Sequence, residues 1–513
     1  MQKLLKNLIN LSLKQKISLL IIFSALFLIT VFILNKTLFR YLVLSFIPLI
    51  LTGYVFIKLQ TRFKPLFLIS GILIVAVLIH FRNTLFFSPT VYTDSNGYIS
   101  WGRCFTQGLG FPGMWYRAPL YPFMLGCTFL TGSDNNLQLI VYIQRILTIA
   151  DALIIYALAT RWRLGTAASL MAAFLFSVNS LVIQMSHAIM TESVTLFLIL
   201  LSILSMTYLF SKPTWISAVL CSISFTITAY CRQIASPLFF AGLVLFLIKS
   251  PRKRIALVLS ASALFLLIEM PWSLRNLNNF GGYSLSYHLG PNIFTKLSSF
   301  RLEYKQGRYY SKCSEIVKKI EKNLGISDYT APEYPEERWD INRIPHLLMD
   351  SLTQNHQYTP YTASRLLTKA SIEGFLHNFI PYLKSVVSTM KSLLFEQHEL
   401  PVNLQEVFPL TSRAPYALRV LLRTYAWVNG LFFLIVVLVL LFQREHYSST
   451  RWLPWLLAFY GYVTTSLVQV GFSRYTVPWI PFMCMSIAYV SVRMCEYISI
   501  FLNSKSNPVP VDH

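Results

Sequence analysis

The chain has 513 residues, of which 55% are hydrophobic and 13% charged, with a formal net charge of +23. A soluble core cannot hide that much apolar surface, and the basic excess is spread in a way that argues against a nucleic-acid partner. Seven cysteines, with no CxxC and no His/Cys ligand spacing, give neither a disulfide framework nor a structural metal site. Cys104 and Cys313 can both lie outside the membrane, where pairing is open to them but not required.

Apolar runs close to the ~20 residues that cross a bilayer recur along the chain. The first, 18–34, lacks a small-residue cleavage site and is read as a retained anchor. Runs 40–57 and 65–81 follow, and then a polar, Gly- and aromatic-rich loop at 82–118. The segment 119–131 (PLYPFMLGCTFLT) is apolar but too short to span, so it reads as a half-helix or interfacial element. Further spans are expected at 138–160, 166–183, 190–210, 213–230, 235–249 and 254–271. A long hydrophilic segment, 272–417, is rich in Tyr, Asn, Lys and Glu. Within it Ala363–Met390 reads as helical, and FLHNFIPYLKSVVSTM reads as an amphipathic helix lying on the membrane. Spans at 418–442, 452–470 and 476–498 close the chain. The fold class is therefore an all-α polytopic membrane protein of about twelve transmembrane helices. It divides into a membrane body at 1–271, a mixed, partly helical segment at 272–417 and three final spans at 418–513.

The basic residues set the orientation. Lys3, Lys6, Lys14, Lys16, Lys58, Arg62, Lys64, Arg161, Arg163, Lys212, Lys249, Arg252, Lys253 and Arg254 fall on one side of the membrane with Arg444, Arg451, Arg493 and Lys505. The opposite short loops carry only Lys36, Arg40, Arg82, Arg103, Arg117, Arg232 and Arg474. This positive-inside bias puts both termini in the cytoplasm, and the loop 82–118 and the segment 272–417 outside.

Acidic residues are scarce, 21 in all, and most lie in 272–417. Asp94, Asp134, Asp151, Glu192 and Glu269 remain in the body and its outer loops. A carboxylate near a membrane is retained for a partner or a function. Asp94, in TDSNGY, is a candidate general base, because a positioned carboxylate can take a proton from an attacking hydroxyl. The alternative is a helix cap, since Asp94–Ser95–Asn96–Gly97 is an ordinary helix start. Arg117 and Arg103 are candidates for a phosphate contact through their bidentate forks, against snorkelling to lipid headgroups. Arg232, Arg275 and Arg474 lie at outer span ends and join them as phosphate-binding candidates. Glu192, in SHAIMTESVTLF, is an acceptor-binding or second carboxylate, or else complements a helix dipole. Tyr98, Tyr116 and His187 are further candidates. Tyr116 equally fits an interfacial aromatic belt, and His187 and His288 equally fit structural or surface roles.

TDSNGY followed by YRAPLYPFMLG resembles the first outer loop of GT-C membrane glycosyltransferases. The resemblance is to the bacterial branch related to dolichyl-phosphate-mannose protein mannosyltransferases and the lipid A aminoarabinose transferase. MTESVTLFL, AYCRQIASP, PWSLRNLNNFGGYSLS and SRYTVPWIPF continue it in order. It covers residues 65–300 and the final two spans. It implies an inverting enzyme of the bacterial inner membrane with its active site facing the periplasm. The donor would be a polyprenyl-phosphate sugar, a substrate and not a cofactor, and the acceptor a glycan, lipid or protein. The same resemblance implies Asp94 as base, Arg117 as a donor-phosphate contact and Glu192 as a site residue. Many relatives carry Asp-Glu where this chain has Asp94–Ser95, which puts a metal role for that pair in doubt. A transporter or flippase of a lipid-linked glycan, and a polymerase or ligase using a diphosphate-linked donor, are the alternatives. The sequence sets no oligomeric state.

Overall fold

The structure is a computed structural model that describes residues 36–86, 88–131, 136–248, 251–325, 339–354, 358–395, 450–469 and 473–506. The expected spans at 18–34 and 418–442 lie outside the described residues.

Among the described residues the chain is helical, without a strand. In order the helices are α1 Lys36–Arg62, α2 Pro65–Phe86, α3 Thr93–Thr106, α4 Leu120–Leu130, α5 Leu137–Arg161, α6 Thr166–Ser177, α7 Ser180–His187, α8 Glu192–Ser211, α9 Trp215–Cys231, α10 Ala235–Ile248 and α11 Pro251–Phe280. Beyond these come α12 Leu289–Ser299, α13 Ser314–Asn323, α14 Trp339–Gln354, α15 Pro360–His377, α16 Phe379–Phe395, α17 Leu453–Val468 and α18 Ile480–Ser506. Among the described residues four helices are long and apolar enough to cross a membrane: Leu137–Arg161, Glu192–Ser211, Arg254–Phe280 and Arg474–Ser499. The number rises to five if the bent pair α6–α7 is one span. The chain is therefore multi-pass, while the count of twelve exceeds what these helices establish.

The single span expected at 166–183 is broken. Val178 closes α6 and Asn179 caps α7, its side-chain oxygen accepting from the backbone N–H of Leu181 and Val182 at 3.1 Å each. The two helices meet at 51°, because a capped helix start cannot also continue the preceding ladder. The boundary expected at residue 271 falls inside α11, which carries Pro271 in its interior and runs on to Phe280. The short segment at 119–131 forms the eleven-residue α4. The helix expected over 363–390 is two helices, α15 and α16, separated at Asn378.

Apolar burial follows this order. The largest core joins α1, α2, α5, α6 and α8–α11 to α17 and α18. A second core lies wholly within 294–375, where Phe294, Leu297, Val317, Leu348, Leu367 and Phe375 pack together from α12–α15. A third joins α3, α4, α5 and the start of α8 through Tyr98, Tyr121, Leu125, Ile140, Ile189 and Val194. The loop between α3 and α4 turns at Gly108, Gly110 and Gly113, with φ of 73°, 65° and 66°, a region that side-chain-bearing residues avoid.

Candidate active site

A cavity of about 860 Å³ opens where these cores meet. Its walls come from the first turn of α3, the Tyr116–Ala118 stretch, the start of α8, the α9–α10 corner and residues 284–292. α15, α17 and the Arg474–Trp479 turn complete it.

Asp94 enters the cavity from the first turn of α3. Tyr92 precedes the helix and Ser95, not Asp94, closes its start, the Ser95 hydroxyl accepting from the Tyr92 N–H at 2.9 Å. Ser95 is fully buried. The capping role weighed for Asp94 is thus filled by its neighbour, which leaves the carboxylate free to turn into the cavity. Asp94 Oδ1 accepts from Arg117 Nη2 at 2.8 Å, and Oδ2 pairs with Arg474 Nη2 at 3.1 Å. Burial by itself would raise the Asp94 carboxyl. Arg117 first and Arg474 next outweigh that, and hold it well below the usual carboxylate range. The Arg117 guanidinium lies 4.2 Å over the ring of Tyr98 and 5.4 Å from that of Tyr116, a cation–π clamp that fixes its fork.

Glu192 opens α8, 1% exposed at its side chain, with Oε1 accepting from Arg232 Nη2 at 3.2 Å. Among the described residues its Oε2 has no hydrogen-bond partner. Arg232 faces Tyr475, 5.6 Å from the ring centre. The cavity therefore holds two carboxylate–guanidinium groups, one with two Arg and one with a single Arg.

Asp94, Tyr98, Tyr116, Arg117, Glu192, Arg232 and Arg474 all line the cavity. Arg103, Arg275 and His187 do not. Arg103 is exposed. It follows Asp94 by nine positions on α3, which at about 100° and 1.5 Å per residue sets it on the opposite face and roughly 13 Å along the axis. Arg275 Nη1 donates to Met114 O at 2.8 Å, and Nη2 donates to Phe111 O. It pins the loop that delivers Arg117 instead of facing a ligand. His187 bridges Arg145 and the Ser88 carbonyl.

His288 was read from the sequence as structural or surface, yet it lines the cavity. Its ring stacks on Tyr116 with centroids 6.2 Å apart. Burial first, and then the Arg117 charge, push it down to about 3, so it is neutral near pH 7. Arg365 and Tyr361 on α15, Asn292 on α12 and Gln469 after α17 also reach the cavity. No local motif marks them, because they come from segments whose approach is set by packing alone. Among the described residues no group of three or more His, Cys, Asp or Glu side chains could hold a metal ion. Cys104 and Cys313 are free thiols, Cys313 buried in the second core.

No protein-family model matches the chain, and no curated protein does. The chain is similar to two solved structures. One is the Archaeoglobus fulgidus oligosaccharyltransferase tethered to an acceptor peptide containing the NVT sequon, at 11% identity and a TM-score of 0.45. That match covers 86% of this chain and 54% of the archaeal one, so the chain spans about half the length of that protein. The other is ArnT from Cupriavidus metallidurans bound to undecaprenyl phosphate, at 13% identity and a TM-score of 0.32, over 86% of this chain and 81% of that one. Both are GT-C glycosyltransferases, the class that the sequence motifs resemble.

Proposed function

We propose that the chain is an integral-membrane inverting glycosyltransferase that moves a sugar from a polyprenyl-phosphate donor to an acceptor hydroxyl. The observation that carries this reading is the carboxylate of Asp94 bracketed by Arg117 and Arg474 inside one cavity. In the transfer, a bond forms between the acceptor oxygen and the anomeric carbon as the bond from that carbon to the phosphate oxygen breaks. The acceptor proton passes to Asp94, and the polyprenyl phosphate leaves with the electron pair, held by the two guanidinium forks.

The same two Arg serve both ends of the reaction. A carboxylate held by two guanidiniums is a weak base. An arriving phosphate competes for Arg117 and Arg474, which loosens Asp94 and raises its proton affinity toward the value that burial favours. The base is thereby strengthened when the donor is in place. His288, neutral and stacked on Tyr116, offers a hydrogen bond beside the phosphate without adding charge, and Arg232 with Glu192 supplies a second polar contact for the sugar or the acceptor. The positive-inside bias supports a cavity on the outer face, and the motif resemblance supports a bacterial cytoplasmic membrane.

The test is transfer from a synthetic polyprenyl-phosphate sugar in proteoliposomes. Asp94→Asn, inserted normally, should lose transfer by about 10³-fold and still bind undecaprenyl phosphate. Undiminished transfer by this variant would falsify the assignment of the base. Movement of sugar across the vesicle without a new glycosidic bond would replace a transferase with a transporter.

A further inference from the structure

The two carboxylates of the cavity arrive on separate segments, and one buried dipeptide holds both. Asp94 follows Thr90 by four residues, and Glu192 follows Ala188 by four. Thr90 and Ala188 form an isolated parallel bridge. The Thr90 N–H donates to His187 O at 3.2 Å, and the Ile189 N–H donates to Thr90 O at 2.9 Å. This staple sets the spacing of the two chain segments at the point where each turns toward the cavity.

Behind the staple lies α5, which carries Gln144 and Arg145 at 0% and 1% exposure. Neither lines the cavity. Gln144 Nε2 donates to Ala188 O at 2.8 Å and to Ser186 O at 3.2 Å, while its Oε1 accepts from the Tyr121 hydroxyl at 2.7 Å. Both amide protons and the carbonyl are thus committed. Arg145 Nη2 donates to His187 Nδ1 at 2.6 Å. A guanidinium is always a donor, so Nδ1 accepts and the His187 proton sits on Nε2, which donates to Ser88 O at 2.8 Å. Arg145 Nη1 also donates to His80 O.

A second route runs from Gln144 to the base. The Tyr121 ring meets Tyr98 edge-on, with centroids 5.1 Å apart, and Tyr98 carries the Arg117 guanidinium that holds Asp94. Gln144 therefore touches the Glu192 segment directly and the Asp94–Arg117 pair through two aromatic rings. Arg145 reaches the Asp94 segment through His187 and Ser88. A wholly apolar pair would cost less to bury at this depth. What the polar pair adds is direction, since its bonds to Ser186, His187 and Ala188 end on the segment that delivers Glu192, and His187 passes the contact on to Ser88 ahead of Asp94.

We propose that Gln144 and Arg145 are positioning residues that fix the Asp94–Arg117 and Glu192–Arg232 pairs relative to each other. For catalysis the inference rests on the glycosyl-transfer reading, and for geometry it stands alone. Two measurements separate these. The first is amide hydrogen exchange on the full chain in nanodiscs, which needs no donor. Gln144→Met should speed exchange at 88–94 and at 186–192 together, leaving α9 and α10 unchanged. A change confined to 186–188 overturns the proposal.

The second is steady-state transfer by Tyr121→Phe, which removes one hydroxyl and keeps the ring. Its kcat should fall about tenfold, with KM for the donor within about twofold, and the acid limb of its pH profile should move upward as Arg117 loosens from Asp94. Adding Tyr121→Phe to Gln144→Met should cost little more, because both remove the same hydrogen bond. A folded Tyr121→Phe protein with wild-type kcat and pH profile overturns the positioning role. Wild-type protein that transfers no sugar while Gln144→Met still loosens both segments would sink the transferase reading and support the geometric one.

Discussion

Asp94 and Lys296 are both charged groups enclosed by the protein, and they are held in opposite ways. Asp94 keeps 36% of its side chain exposed and is paired with two cations. Lys296, on α12, is fully buried. Its Nζ donates to Ser466 O at 2.6 Å, Thr389 Oγ1 at 3.1 Å and Gln469 O at 3.3 Å. Three protons meet three neutral acceptors from α16, α17 and the residue after α17, with no carboxylate among them. The difference separates a charge meant to exchange partners from one meant to keep them. On the proposed reading, Asp94 surrenders either Arg to a phosphate and gains proton affinity in return. Lys296 has nothing to trade, and its role is to clamp the 272–417 segment onto the last spans beside the cavity.

Substitutions sharpen that contrast, beginning with the largest effect, the loss of transfer in Asp94→Asn. Arg117→Lys should come next, lowering kcat/KM by about 10- to 100-fold, since an ammonium cannot reproduce the bidentate fork. The ammonium keeps the charge but not the guanidinium hydrogen bond to Asp94, so Asp94 rises and the acid limb of the rate profile should shift to higher pH. A profile that stays in place would detach Arg117 from the base.

Lys296→Met should behave differently, leaving transfer measurable at low temperature while changing how stability depends on pH. Burial lowers Lys296 to about 7 from its usual 10.5. The unfolded chain therefore binds more protons between these values, and stability from this group rises with pH across that window. Below about 7 the penalty for burying the cation is fully present. Thermal denaturation of wild type against Lys296→Met from pH 6 to 10 should show the wild-type midpoint gaining relative to the variant as pH rises. A constant difference would rule out proton linkage at this site.

Ser95→Ala should cost about 1 kcal/mol of stability by removing the hydroxyl that starts α3, with a modest fall in kcat as Asp94 loses its anchored base. The smallest effect belongs to Arg103→Gln, for which wild-type kinetics are expected. A loss as large as that of Arg117→Lys would mean that the exposed face of α3 also meets substrate.

Much of this was legible along the chain. The apolar runs announced helices at 137–161, 192–211 and 453–468, because ~20 apolar residues have few soluble uses. The census of carboxylates drew attention to Asp94 and Glu192, and Arg117, Arg232 and Arg474 stood at outer span ends in motifs of fixed order. The break at Asn179 escaped, because an asparagine amid apolar residues reads equally as a tolerated polar position. Arg103 and Arg275 looked equivalent to Arg117, since sequence counts cations without saying where each points. His288 was passed over because nothing beside it is unusual.

By itself the sequence determined that the chain enters a membrane, which residues are charged within it, and which short motifs carry the scarce acids. These are properties of composition and local spacing, and the cost of burying charge in lipid makes them readable. Only the tertiary structure decided which cations close on which carboxylate, that Ser95 and not Asp94 caps α3, and that Gln144 braces both halves of the cavity from behind. The ion pairs of Asp94 join residues 23 and 380 positions apart (to Arg117 and to Arg474). Such pairings are set by how helices pack and not by any pattern along one of them.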